Sequence, residues 1–178
     1  MPSRLRTAVE VLDTPRGAAS ARAEALATRM EQGLDALITY AAPLTDAQWW
    51  TLIPKDGRTV GVVVHHVASV LPIEIELAQA LAKNQPITGV TWDGIHAMNA
   101  GHARDNAAVT KQEAIDALRT NGAMAAAAIR AFSDTDLAGA ATVSLYAEAP
   151  LTCQFMLEDH AVRHCYHHLA KIRGALGA

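Results

Sequence analysis

Half of the eight histidines of this chain fall in one short run, His160-Ala-Val-Arg-His164-Cys-Tyr-His167-His168. Read as a helix, the run places His164 and His168 one turn apart on the same face. Two imidazoles whose Cβ atoms stand roughly 5–6 Å apart can hold one metal ion. A third ligand from elsewhere would complete a three-histidine site with open positions for water or substrate. Leu157, Ala161, His164, His168 and Ile172 share one stripe, so these histidines stand where a helix bundle would bury leucines. A buried imidazole is costly unless its nitrogens find partners, and a metal ion is one such partner.

His66 is the third candidate. It replaces a core residue in the seam Val63, His66, Val70, Ile73 and Leu77. His65 points about 100° away, toward a neighbouring helix or solvent. Ligands that face inward from two helices are how bundles build metal sites. The competing reading is three hydrogen-bonded core histidines with no ion. His160 lies one turn before His164 and could take the place of His168, but it is two turns from His168, so the three cannot easily share one ion. His167 reads as a supporting or surface residue, and His96 and His102 are expected to be exposed. Other metal chemistries fail on the sequence. His164-Cys165 does not fit HExxH, no Glu-x-x-His pair is present, and paired cysteine ligands are missing. No Ser-His-Asp set or phosphate-binding glycine loop is evident. Trp49, Trp50 and Trp92 read as core anchors rather than as the wall of a substrate pocket. Glu158 and Asp159 read as surface residues, Cys165 as packing, and Arg163 as a cover for the helix surface or a partner for a substrate carboxylate.

The elements that must position these residues are helical. A pattern from about Ala18 to Tyr40 repeats Leu26, Met30, Leu34, Leu37 and Ala41 at spacings of three and four, and Pro43 ends it. Thr45-Asp-Ala-Gln48 is a capping box for a short turn that carries Trp49 and Trp50. The second long helix runs from about Thr59 to Lys83, with Pro72 expected to kink it. Asn84 to Gly89 is a loop, and Trp92 to Asp105 a helical turn or short helix. Thr110-Lys-Gln-Glu113 caps a third long helix with Ile115, Leu118, Met124 and Ile129 inward. Ser133 to Asp136 makes a turn, and Thr142 to Pro150 is β-prone but too short for a sheet. A fourth long helix spans roughly Leu151 to Arg173 and ends at Gly174. Four amphipathic segments without convincing strands predict an all-α four-helix bundle. Residues 1–16, with Pro2 and Pro15, read as an irregular arm, and residues 17–178 as a single domain.

Composition agrees. Hydrophobic residues make up 51% of the 178 positions but aromatics only 4%, and alanine and leucine dominate, which favours helices. A net charge of −3 gives no reason to expect nucleic acid or an anionic membrane as partner. Polar residues interrupt the apolar stretches, so no membrane-spanning helix is expected, and no signal core follows Arg4 and Arg6. Cys153 and Cys165 form no CxxC motif and fit a reduced, cytoplasmic protein.

Two segments carry a family resemblance. Thr59-Val-Gly-Val-Val-Val-His-His66-Val-Ala resembles the second helix of the DinB-like (YfiT-like) superfamily, where a glycine precedes an apolar run and a histidine ligand. Counted from Gly61, the matching histidine is His66. His164-Cys-Tyr-His167-His168-Leu-Ala-Lys-Ile-Arg resembles the family's terminal HxxxH motif, which favours His164 and His168 over His160. Many members have Arg-Gly-Gln after the last ligand, where this chain has Leu169-Ala170-Lys171. The resemblance covers roughly Ala18 to Leu176. It implies an up-down-down-up bundle, often a homodimer, with a divalent ion such as nickel, zinc or manganese. Relatives include thiol-dependent S-transferases and a mycothiol-dependent maleylpyruvate isomerase. The expectation is therefore a divalent-metal protein with His66, His164 and His168 as ligands, acting with a low-molecular-weight thiol or as a hydrolase. The alternative is a non-catalytic metal-binding stress or sensor module.

Overall fold

A computed structural model describes residues 20–177; the expected irregular arm lies outside the described residues. The chain forms α1 (Ala21–Ala41), a short α2 (Asp46–Trp49), α3 (Val60–Ala82), α4 (Trp92–Asp105), α5 (Lys111–Arg130) and a short α6 (Asp134–Ala138). Strands β1 (Ala140–Val143) and β2 (Ala149–Thr152) follow. The last long helix has three parts: α7 (Cys153–Met156), a π-helical turn (Leu157–Val162) and α8 (Arg163–Leu176). Ser20, Thr59, Thr110 and Thr152 open the four long helices, each accepting a hydrogen bond from a backbone N–H in the first turn. Thr110 and Glu113 form the predicted capping box.

Four polar ties fix the direction of each helix. Arg22 Nη2, at the start of α1, donates to Gln154 Oε1 at the start of α7 (2.8 Å), so the first and last helices run parallel. Arg130, at the end of α5, pairs with Glu24 near the start of α1 and with Glu31 at its middle (2.9 and 2.7 Å), so α5 opposes α1. The Trp49 ring lies on Gly61 at the start of α3, and its Nε1 donates to Val109 O just before α5 (3.0 Å), so α3 and α5 start at the same end. Cys153 N donates to Gly139 O (2.8 Å), and a Cβ on Gly139 would come within 2.7 Å of the carbonyls of Leu81 and Ala82. The last helix therefore begins where α3 ends. The result is an up-down-down-up bundle, and only the 83–110 connection, which carries α4, must travel its full length.

The stripe predicted for α1 is buried in full. On α5, Ile115, Leu118 and Ile129 are buried but Met124 is 63% exposed. The buried stripe runs instead through Gly122, Ala125 and Ala126, where a Cβ on Gly122 would press on Leu34. Small residues there admit a close neighbour and leave no hydrophobic periodicity to read. On α3, Ile73 is 41% exposed, and Glu74 beside it is buried. Fourteen residues of α3 are buried, so its seam is not a single face. This 23-residue helix is long and apolar enough to cross a membrane, yet 67% of its most apolar window is buried inside the bundle. Its composition is that of a core helix.

α3 runs unbroken through Pro72. Proline has no N–H, which leaves the Ala68 carbonyl without its helical donor. Asn121 Nδ2 of α5 supplies one at 2.9 Å. Residues expected to be too short for a sheet do form one, a hairpin with Ala140 opposite Thr152 and Val143 opposite Ala149. Its support is long-range: Ile87 N donates to Thr142 O, and Ser144 N donates to Ile87 O, both at 2.9 Å. The hairpin delays the last helix to Cys153, and the helix ends at Gly177 (φ 76°) rather than at Gly174.

Candidate metal centre

His66 of α3 and His164 and His168 of α8 converge, each with a ring nitrogen within 4.8 Å of the others. His66 and His168 are buried, and His164 is partly so. The parts of this cluster come from antiparallel neighbours, so the packing of α3 against the last helix sets the spacing. The Nε2 atoms of His164 and His168 lie 2.8 Å apart. On its other side, His164 Nδ1 lies 2.8 Å from Glu74 Oε1. A carboxylate accepts, so Nδ1 carries the proton and Nε2 is left with its lone pair facing the centre. Burial, together with the Arg58 charge and the neighbouring histidines, holds His66 down to about 3. Burial and the same histidine cluster hold His168 down to about 2. Both are therefore neutral imidazoles at neutral pH, the form that ligates metal ions. With Nδ1 protonated, His164 Nε2 accepts from His168 Nε2–H, and a cation that displaces that proton would meet three imidazole nitrogens, a set that suits zinc, nickel, copper or iron alike.

The remaining histidines separate clearly. His160 stays outside the trio, with Nε2 3.0 Å from the Tyr146 hydroxyl. His65 stacks on His102, with ring centroids 5.1 Å apart and Nδ1 2.9 Å from His102 Nε2. His102, expected to be exposed, is thus half-buried beside the centre, its ring 5.5 Å from that of His66. The partner that covers it is 37 residues away in sequence. His96 and His167 are exposed. Trp49 is a core anchor, but Trp50 and Trp92 are exposed, and Trp92 lines a cavity. Asp159, expected at the surface, accepts from Tyr146 (2.9 Å) and from Arg163 (2.7 Å), which gives Arg163 a protein partner. Glu158 pairs with Arg29 at the surface (3.1 Å). Cys165 is buried, its thiol pushed up to about 12 by burial, as a packing residue should be.

Glu74, Tyr146 and Asp159 escape sequence reasoning. Glu74 left a usable signal, since His66, Val70 and Glu74 step by four along α3 and a carboxylate in so apolar a helix needs a partner. The π-helical turn, which ends just before His164, leaves no sequence signature of its own, though such turns gather at functional sites. Beside His66 and His164 lies a cavity of about 200 Å³.

The family model of the DinB superfamily matches residues 29–172. Among solved structures, YfiT from Bacillus subtilis is similar, at 19% identity and a TM-score of 0.70, over 91% of this chain and 90% of that one. It is described as "a probable metal-dependent hydrolase with an unusual four-helix bundle topology". A likeness at that identity shows the shared fold. No curated protein matches the chain.

Proposed function

This chain belongs to the DinB superfamily, and from that membership we propose that it is a metal-dependent hydrolase whose divalent ion is held by His66, His164 and His168. The observation that carries the reading is the convergence of three largely buried imidazoles with no carboxylate among them. A divalent ion bound there supplies a Lewis acid with open positions, able to make water a nucleophile at neutral pH. Glu74 orients His164 by accepting its Nδ1–H. His160 offers the cavity a neutral imidazole for moving a proton, its charged form disfavoured by burial. Tyr146 and Asp159 hold that imidazole in place. Burial and the Asp159 carboxylate push the phenol up to about 12, so Tyr146 keeps its proton.

Thiol transfer is the second reading. It is favoured by a candidate ligand set without a carboxylate, which leaves an ion its full charge for stabilising a thiolate. Elemental analysis of the purified protein and of the His168→Ala variant tests the shared premise. About one divalent ion per chain, lost in the variant, is the expected result. A chain that holds no metal and takes none up after chelation and reloading would leave a structural bundle with hydrogen-bonded histidines. Cobalt-loaded protein then separates the two chemistries, because a low-molecular-weight thiol that ligates the ion changes its visible spectrum and a bystander thiol does not. Metal binding without turnover of esters, amides or thiol acceptors would favour a non-catalytic binding module.

A further inference from the structure

The cavity beside His66 and His164 has an unusually one-sided chemistry. Ile73 and Leu77 of α3, Ile95 and Met98 of α4, and Val143 and Leu145 of the hairpin give it walls on three sides. Its polar lining consists of His66, Glu74, Asn99, Tyr146, His160 and His164. Glu74 is engaged with His164, and Tyr146 is engaged with Asp159 and His160. Among the described residues no lysine or arginine lines it. The apolar lining continues outward, since Ile73 and Met98 are each 41% exposed and Trp92 is 59% exposed.

We propose that this cavity is the subsite for an uncharged, apolar group about the size of a benzene ring, and that the protein selects against substrates carrying a carboxylate there. The size follows from volume. An apolar cavity of about 150 Å³ takes up benzene, and this one measures about 200 Å³. The charge preference follows from desolvation. A carboxylate carried on that group, away from the histidines, would lose its water, find no lysine or arginine in the lining, and share the cavity with the Glu74 carboxylate. The exposed lip of Ile73, Met98 and Trp92 gives a longer apolar tail further surface to cover. The subsite rests on the metal reading only for where the reacting group sits; its size and polarity stand without an ion.

Calorimetry on zinc-loaded protein with three hydroxamates tests the proposal. Acetohydroxamate reads the metal alone, benzohydroxamate adds the ring, and 4-carboxybenzohydroxamate adds the charge. The expected order puts benzohydroxamate about tenfold or more tighter than acetohydroxamate, with most of that gain lost on adding the carboxylate. Equal affinities, or tightest binding of the carboxylated probe, would overturn the subsite while leaving the metal site intact. Ile73→Lys, at a half-exposed position that tolerates a polar side chain, should turn the preference toward the carboxylated probe; an unchanged order counts against the cavity as the ring's location. If zinc does not bind, the hydrolase reading fails and the cavity is still decided by p-cresol. Shifts in the methyl resonances of Ile73, Leu77, Ile95 and Met98 on adding p-cresol to the metal-free protein support the subsite, and no shift at saturating p-cresol rejects it.

Discussion

The 2.8 Å contact between Glu74 Oε1 and His164 Nδ1 decides which nitrogen of His164 faces the centre. Glu74→Gln keeps the volume but gives up the charged acceptor, and zinc affinity should fall by about tenfold or more in competition with a chromophoric chelator. Unchanged affinity would reduce Glu74 to a packing residue. His160→Gln should leave zinc stoichiometry intact and lower kcat/KM for a neutral ester by about a hundredfold; equal loss of bound zinc would show that His160 acts through the metal site instead. Asp56 supplies a pH dependence of its own. Arg58 donates to it from Nε and Nη2 (2.6 and 3.0 Å) and holds its carboxyl at about 2, below its ordinary 3.8. A depressed folded value stabilises the protein above pH 3.8, and that stability is lost as pH falls through about 2. The Asp56 side chain is only 7% exposed, so solvent screens it little. Asp56→Asn should cost about 1–2 kcal/mol at neutral pH and flatten the acid limb, read by urea unfolding from pH 7 to 2. The three candidate ligands were legible because the two on the last helix sit one turn apart and the third interrupts an apolar seam. Tyr146 and His102 were not, because each is placed by a partner on another element.

Pro72 and Asn121 act as one device across two helices. The proline removes a donor from α3, and the Asn121 amide on α5 restores it at the Ala68 carbonyl. Asn121→Ala should therefore destabilise the protein by about 1–2 kcal/mol, and by much less when Pro72→Ala returns the N–H. A double-mutant cycle by urea denaturation checks this, and additive effects would mean that Asn121 contributes through packing alone. Long helices, caps and the α1 stripe could be read directly, since local spacing and the Thr110–Glu113 box determine them. The hairpin could not, because its second source of pairing is Ile87, far upstream. Nor could the true face of α5, where alanine and glycine carry the contact and Met124 draws attention to the wrong side.

His66 belongs to α3 while His164 and His168 belong to α8, so an ion at the centre would clamp the longest core helix to the end of the chain. Zinc at about a thousand times its dissociation constant should add roughly 4 kcal/mol to unfolding, seen as a raised Tm that His168→Ala abolishes. An increment that survives in the variant would place the ion elsewhere. The direction of each helix was not legible from periodicity, which is blind to up and down; the family resemblance implied it, and the contacts of Arg22, Trp49, Arg130 and Gly139 now explain it. Parallel α3 and α5 force one connection along the outside of the bundle, and α4 within it spans about 21 Å. None of the α4 residues is fully buried, yet Trp92, Ile95, Met98 and Asn99 face the cavity. That segment is thus an exchangeable cassette. Its cavity-facing side chains can be rewritten to retune what the centre admits, with His102 kept against His65, and without disturbing the core that holds the histidines.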